Sequence, residues 1–244
     1  MFLSVLGLGF LLGLRHAADP DHVAAVSTFV ASSPRRGHAW RLGTTWGAGH
    51  ALTLFLVGGA IVLSRLRLPP FWAPAAESAV GAVLAALGVS NLLRPMGGGR
   101  IIAHEHAHRH DDLAHGHDPR ASVSPPHSHP HLHGAKPPFR RSFLVGLVHG
   151  LSGSAAVALA ILALIPGRRE ALFYLAVFGL GTMAGMAGLS LLMERAAGWV
   201  LGRWAGAYAA LARVTGLASL GLGIAILGVE GPKALALLRT GTAP

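Results

Sequence analysis

From Leu42 to Ser64 the chain runs for 23 residues without an Asp, Glu, Lys or Arg, and it does so again over Ser142–Gly167 and Ala171–Met193. Two further runs are nearly as clean: Ala205–Val229 is interrupted only by Arg213, and Trp72–Leu93 only by Glu77. About 20 apolar residues cross the hydrocarbon of a bilayer as a helix, and a water-soluble domain has no core in which to bury five such runs. A sixth stretch, Phe2 to about Ser33, is interrupted at its middle by Arg15, Asp19, Pro20 and Asp21. At about 1.5 Å per residue a helix of that length overshoots the bilayer core, so this segment is tilted, kinked or partly unwound. The expectation is an all-α integral membrane protein of about six transmembrane helices, the first broken at Asp19-Pro20. Only 12% of residues are charged and 33 are Gly, which suits helices packed closely in lipid and leaves no room for a second, soluble domain.

The absence of Cys excludes disulfides, zinc-thiolate sites, iron–sulfur clusters and thiol nucleophiles. A formal charge of +10 does not point to nucleic acid, because the basic residues lie between apolar runs as membrane flanks. With six spans, the loops at 34–41, 94–141 and 194–204 carry 12 Lys or Arg against 6 on the other side. The richer side is expected to be cytoplasmic, with both termini outside. The apolar run from Phe2 has no Lys or Arg before it, so it does not read as a cleaved signal peptide.

An internal repeat organises the chain. FLLGLRH (10–16) matches FLVGLVH (143–149), WGAGHALTL (46–54) matches FGLGTMAGM (178–186) in its glycine spacing, and Gly81 and Gly88 recur as Gly216 and Gly223. The offsets are 133, 132 and 135. Each half holds three spans, an odd number, so the second half enters the membrane from the opposite face, as in transporters built from inverted repeats. The expected organisation is a first three-helix repeat over 1–96, a disordered His-rich loop over 97–141, a second three-helix repeat over 142–230 and a short tail over 231–244.

The motif RHAADPDH (15–22) places two His, two Asp and an Arg inside an apolar segment. Ionisable groups at bilayer depth are costly unless paired, solvated or bound to metal. On a straight helix His16 and Asp21 point about 140° apart. Pro20 lacks an N–H and clashes with the carbonyl four residues back, that of His16, so the helix opens there. His16, Asp21, His22 and that carbonyl can then converge on one cation, and neutral imidazoles favour Ni(II), Co(II), Zn(II) or Cu(II) over Mg(II) or Ca(II). The bland alternative is a solvated interfacial loop, and Asp19, before a proline, is also an ordinary turn former.

His50 lies mid-span, where a lone His serves equally as an inter-helix hydrogen-bonding group or as a ligand; Gly47 and Gly49 beside it allow close approach to the broken helix. His149 is the repeat counterpart of His16, and Ser152 and Ser154 stand where the first half has Asp19 and Asp21. These residues and Thr182 form a second polar wall of the pathway, although by residue type Thr182, like Asn91 and Ser190, is also a helix-packing group. Glu77 and Arg213 fit interfacial snorkelling, with an ion pair between the halves as the alternative. Residues 101–134 hold ten of the fifteen His, namely His104, His106, His108, His110, His115, His117, His127, His129, His131 and His133. Rich in Pro and polar residues, this loop cannot build a core; His-x-His runs gather divalent metal, unless the segment is a mere low-complexity linker.

HAADPDH, with its His-x4-Asp-His pattern, resembles the signature of the nickel/cobalt transporter superfamily, and WGAGHALTL is similar to that family's Gly-His segment. With FLVGLVHGLSGSAAV, the chain is closest to the six-span urease-accessory, or NicO-type, permeases. The resemblance implies transport of Ni(II) or Co(II) as cargo with no prosthetic group, His16, Asp21 and His22 as the selectivity motif with His50 as partner, and a place in the cytoplasmic membrane of a prokaryote. The departure lies in the second half, where eight-span uptake permeases carry an Asp-Thr segment and this chain has His149 to Ser154. The leading expectation is a transporter, not an enzyme, working by alternating access, with the lipid bilayer and the divalent ion as partners. An accessory membrane protein that stores nickel, or hands it to the maturation proteins of urease or hydrogenase, is the alternative. A membrane metalloenzyme fits less well, since no His-Glu-x-x-His helix is present.

Overall fold

The computed structural model describes residues 2–31, 37–65, 68–93, 139–151, 165–201 and 207–240, which form seven helices and, among the described residues, no strand. The helices are α1 (Phe2–His16), α2 (Pro20–Ala31), α3 (Ala39–Ser64), α4 (Trp72–Leu92), α5 (Phe139–His149), α6 (Arg168–Leu201) and α7 (Ala207–Thr240). Helices α3, α4, α6 and α7 are long and apolar enough to cross a membrane, and α1 is a shorter apolar helix. All seven lie in one compact unit. The His-rich segment from His104 to His133, and Ser152 and Ser154, fall outside the described residues.

The interruption in the first apolar stretch is a real break. Helix α1 ends at His16, the amides of Ala18 and Asp19 reach back only three residues to the carbonyls of Arg15 and His16, and the chain re-enters helix at Pro20. A proline suits a first helical position, where its φ is already correct and its missing N–H has no intrahelical partner to lose. Two other helices outrun the apolar windows. Helix α6 passes through Glu194 and Arg195 to Leu201, and α7 continues past Val229, through Pro232 and most of the expected tail, to Thr240. Charge ends a membrane window without ending a helix, because Glu, Arg, Lys, Ala and Leu are all good helix formers.

The helices pack in an exchanged pattern that follows the repeat. A Cβ added at Gly13 would overlap the carbonyl of Phe178, and one at its counterpart Gly146 would overlap the carbonyl of Trp46, the counterpart of Phe178. Likewise Gly49 lies against the Phe143 carbonyl and Gly181 against that of Phe10. The register of these contacts sets directions. Phe10 and Leu14 meet Gly181 and Gly185, so α1 and α6 run parallel, and Trp46 and His50 meet Gly146 and Gly150, so α3 and α5 do too. Gly43, Gly47 and Gly58 meet Met186, Met183 and Leu175, so α3 and α6 are antiparallel. Gly81 meets Gly223 and Gly88 meets Gly216, so α4 and α7 are antiparallel as well. Helices α1, α3 and α4 therefore run opposite to α5, α6 and α7, respectively.

Polar contacts tie one end of this bundle together. Ser142 Oγ donates to the Leu42 carbonyl at 2.8 Å, and Asn91 Nδ2 donates to the Ala212 carbonyl at 3.0 Å and to Thr215 Oγ1 at 3.2 Å. Thr28 Oγ1 lies 3.4 Å from the Thr215 carbonyl, so α2 continues from the break toward this same end. Asn91 and Ser190 are buried at helix contacts, the packing role their residue types suggest. Between the ends, Trp46, Val80, Leu84 and Met186 fill a core around α2.

Candidate metal centre

The break and the glycine contacts bring ionisable groups from four helices to one place. His16 closes α1, Asp21 and His22 open α2, His50 lies near the middle of α3, and His149 closes α5. His22, His50 and His149 are at most 1% exposed, His16 is 5% and Asp21 9%. The approach has a steric origin: Gly49 and Gly146 leave no side chain between α3 and α5, so His50 and His149 come within reach of the first-half motif.

Hydrogen bonds orient the rings. His16 Nδ1 lies 2.9 Å from Asp19 Oδ2, and with that carboxylate as acceptor the neutral ring presents Nε2 as a lone pair. His50 Nε2 stands 3.0 Å from His16 Nε2 and donates to it. His22 Nδ1 donates to the His16 carbonyl at 3.0 Å, so its Nε2 is also a lone pair. The His16 carbonyl, which the motif alone offers as a cation ligand, here accepts from His22 Nδ1 and aims its ring; outer partners of this kind commonly fix ligating imidazoles. Asp19, the most exposed member of the motif's acidic pair, is spent on His16 in the same way.

Two groups have the spacing to hold a metal ion: His16, His22 and His50, and Asp21, His22 and His149, in each of which the ligand atoms all lie within 4.8 Å of one another. Asp21 Oδ2 is 3.5 Å from His149 Nε2 and 3.8 Å from His22 Nε2. Those two nitrogens and Asp21 Oδ2 are buried and have no hydrogen-bond partner among the described residues, as do His50 Nδ1 and His149 Nδ1. Buried polar atoms are nearly always partnered, so such a concentration in one spot calls for a ligand.

Of the residues singled out in the sequence, His16, Asp21, His22, His50 and His149 come together, Asp19 stands behind His16, and Thr182 donates its hydroxyl to the Phe178 carbonyl at 3.0 Å. Trp46 was not among them. Its ring stands edge-on to His149 with centroids 5.1 Å apart and to His22 at 5.9 Å. Phe178, its repeat counterpart, lies against His16 at 5.5 Å. The available signal was position: Trp46 precedes His50 by four residues and so shares its helix face.

The chain is 35% identical over 191 residues to the urease accessory protein UreH of Bacillus sp. (strain TB-90), a match covering 75% of this chain and 73% of the relative. No family model matches the chain, and no solved structure does.

Proposed function

This chain belongs to the UreH branch of the nickel/cobalt transporter superfamily, and we propose that it carries a divalent transition metal ion, Ni(II) or Co(II), across the membrane through the centre formed by His16, Asp21, His22, His50 and His149. The observation that carries this reading is the set of buried donor atoms without partners gathered around His50, which lies near the middle of a helix long and apolar enough to span a bilayer. At that depth ionisable groups mark an ion pathway more often than a packing contact. Imidazole donors with one carboxylate suit Ni(II) and Co(II), whereas Mg(II) and Ca(II) favour all-oxygen sites.

The path is the ion's exchange between the two halves. In our reading the protein is six spans in two inverted repeats, supported by the opposed directions of counterpart helices and by the exchanged glycine contacts. Rocking of one half against the other would expose the centre to each side in turn. The ends of α4 and α6 and the starts of α3, α5 and α7 gather at one end, which carries the more basic loops and is taken as cytoplasmic, leaving the termini outside. The His-rich segment then lies in the cytoplasm of a prokaryotic cell, where it would gather the same cations near the pathway.

A second reading, favoured by the relative's name as a urease accessory protein, is nickel storage or delivery without transport. Deleting residues 101–134 separates the two in membrane vesicles. A transporter retains most metal flux without this segment; flux that disappears with it, while metal still binds the buried centre, would support the accessory role.

A further inference from the structure

We propose that the centre is two overlapping cation positions sharing His22, one built from Asp21, His22 and His149 and the other from His16, His22 and His50, and that the first is the resting position. This inference rests on the transport reading and adds how the ion moves within the site.

Metal–nitrogen and metal–oxygen bonds of about 2.1 Å place two donors on one ion about 3–3.5 Å apart at neighbouring positions and at most about 4.2 Å apart when opposite. The five side chains do not form one group within even 4.8 Å; they form two groups of three with His22 in common. All five cannot therefore ligate one ion without rearrangement. The first position joins the two halves, since His149 belongs to the second; the other joins both parts of the broken helix, His16 on α1 and His22 on α2, to His50 on α3.

The two positions differ in how they are prepared. In the first, Asp21 Oδ2 is 3.5 Å from His149 Nε2 and 3.8 Å from His22 Nε2, too far for good hydrogen bonds and close to the spacing of donors on a shared ion. None of the three atoms has a hydrogen-bond partner among the described residues. In the second, two donors are spent on each other, His50 Nε2 against His16 Nε2 at 3.0 Å. That bond is a latch. An ion can enter the second position only when it breaks, with the proton on His50 Nε2 moving to its buried, unpartnered Nδ1 or the ring turning away. His22, held by the His16 carbonyl and common to both groups, is the ligand that stays on the ion during hand-over.

Co(II) added to the purified full-length protein in detergent tests this through its visible absorption bands, which report donor number and geometry. Wild type is expected to hold one Co(II) per chain at the centre, read as the signal that His22→Ala removes and so separate from ions gathered by the His-rich segment. His50→Gln should keep the band shape and bind within about threefold of wild type. His149→Gln should weaken binding at least about tenfold and change the spectrum, and His22→Ala should remove it. In proteoliposomes both His50→Gln and His149→Gln should lose flux, since hand-over needs both positions. The Gln variants keep side-chain volume, and circular dichroism melts establish that each is folded. Equal losses of Co(II) affinity in His50→Gln and His149→Gln, with the same spectral change, would show a single site and overturn the proposal while leaving transport intact. Normal flux in His50→Gln would also overturn it. Absence of both Co(II) binding and flux in folded wild type would instead overturn the transport reading beneath it.

Discussion

Asp21 Oδ2 and His149 Nε2 stand 3.5 Å apart, one from each half of the chain, and neither is hydrogen-bonded among the described residues. The pair places a carboxylate that follows the break between α1 and α2 beside the imidazole that ends α5. Exchanging Asp21 for Asn keeps the shape and removes the charge. Asp21→Asn is expected to abolish Ni(II) flux with normal insertion, and unchanged flux would remove Asp21 from the pathway.

Asp19 Oδ2 lies 2.9 Å from His16 Nδ1, so in the proposed centre it acts through His16. Loss of such an outer partner commonly costs a metal site about 10–100-fold in affinity or activity. His16 belongs to the second cation position, so Asp19→Ala should lower Ni(II) flux by about that factor and leave resting Co(II) binding within about threefold, in contrast to His22→Ala. Complete loss of binding in Asp19→Ala would mean that its carboxylate is itself a ligand.

Trp46 supplies an optical report. Its ring contacts both His149 and His22, so a paramagnetic Ni(II) or Co(II) ion at the centre should quench its emission. Titrating wild type should lower tryptophan fluorescence, and Trp46→Phe, which leaves the other four Trp in place, should remove most of that decrease. Quenching that survives in Trp46→Phe would place the bound ion elsewhere.

Helix approach at the centre depends on missing side chains. Gly146→Ala would push a methyl into the Trp46 carbonyl, whereas Gly188→Ala meets nothing within 4 Å. Overpacking a tight contact costs about 1–3 kcal/mol, so Gly146→Ala should lower the thermal denaturation midpoint in detergent and Gly188→Ala should not. Equal midpoints would mean that α3 and α5 are not in the register described.

Protons compete with metal for imidazole, which ligates only when neutral. Bound Co(II) should therefore be released as the protein is acidified and return when pH is restored. Metal retained down to acid unfolding would argue against imidazole donors.

Much of this architecture was legible in the sequence because its signals are physical and local. Charge-free runs gave the long helices, and a proline beside two aspartates inside an apolar stretch gave the break between His16 and Pro20. The offset repeat pointed to His149, which spacing from the motif could never have done. Other features depend on three-dimensional choices that spacing does not encode. Which nitrogen of His16 faces Asp19, and that the His16 carbonyl orients His22, follow from the geometry of a three-residue turn. The helical ends of α6 and α7 were hidden because an apolar window measures lipid contact and not helix propensity. Nothing in its segment sets Trp46 apart from any packing aromatic, and only the fold brings it against two of the imidazoles.

The most direct test of the central claim is uptake of radioactive nickel, and separately of cobalt, into proteoliposomes containing the purified full-length protein, with wild type and His22→Ala side by side under opposed pH gradients. The account predicts flux of at least one of these ions in wild type and none above empty liposomes in His22→Ala. Equal flux in the two proteins, or none of either ion in folded wild type, would contradict it.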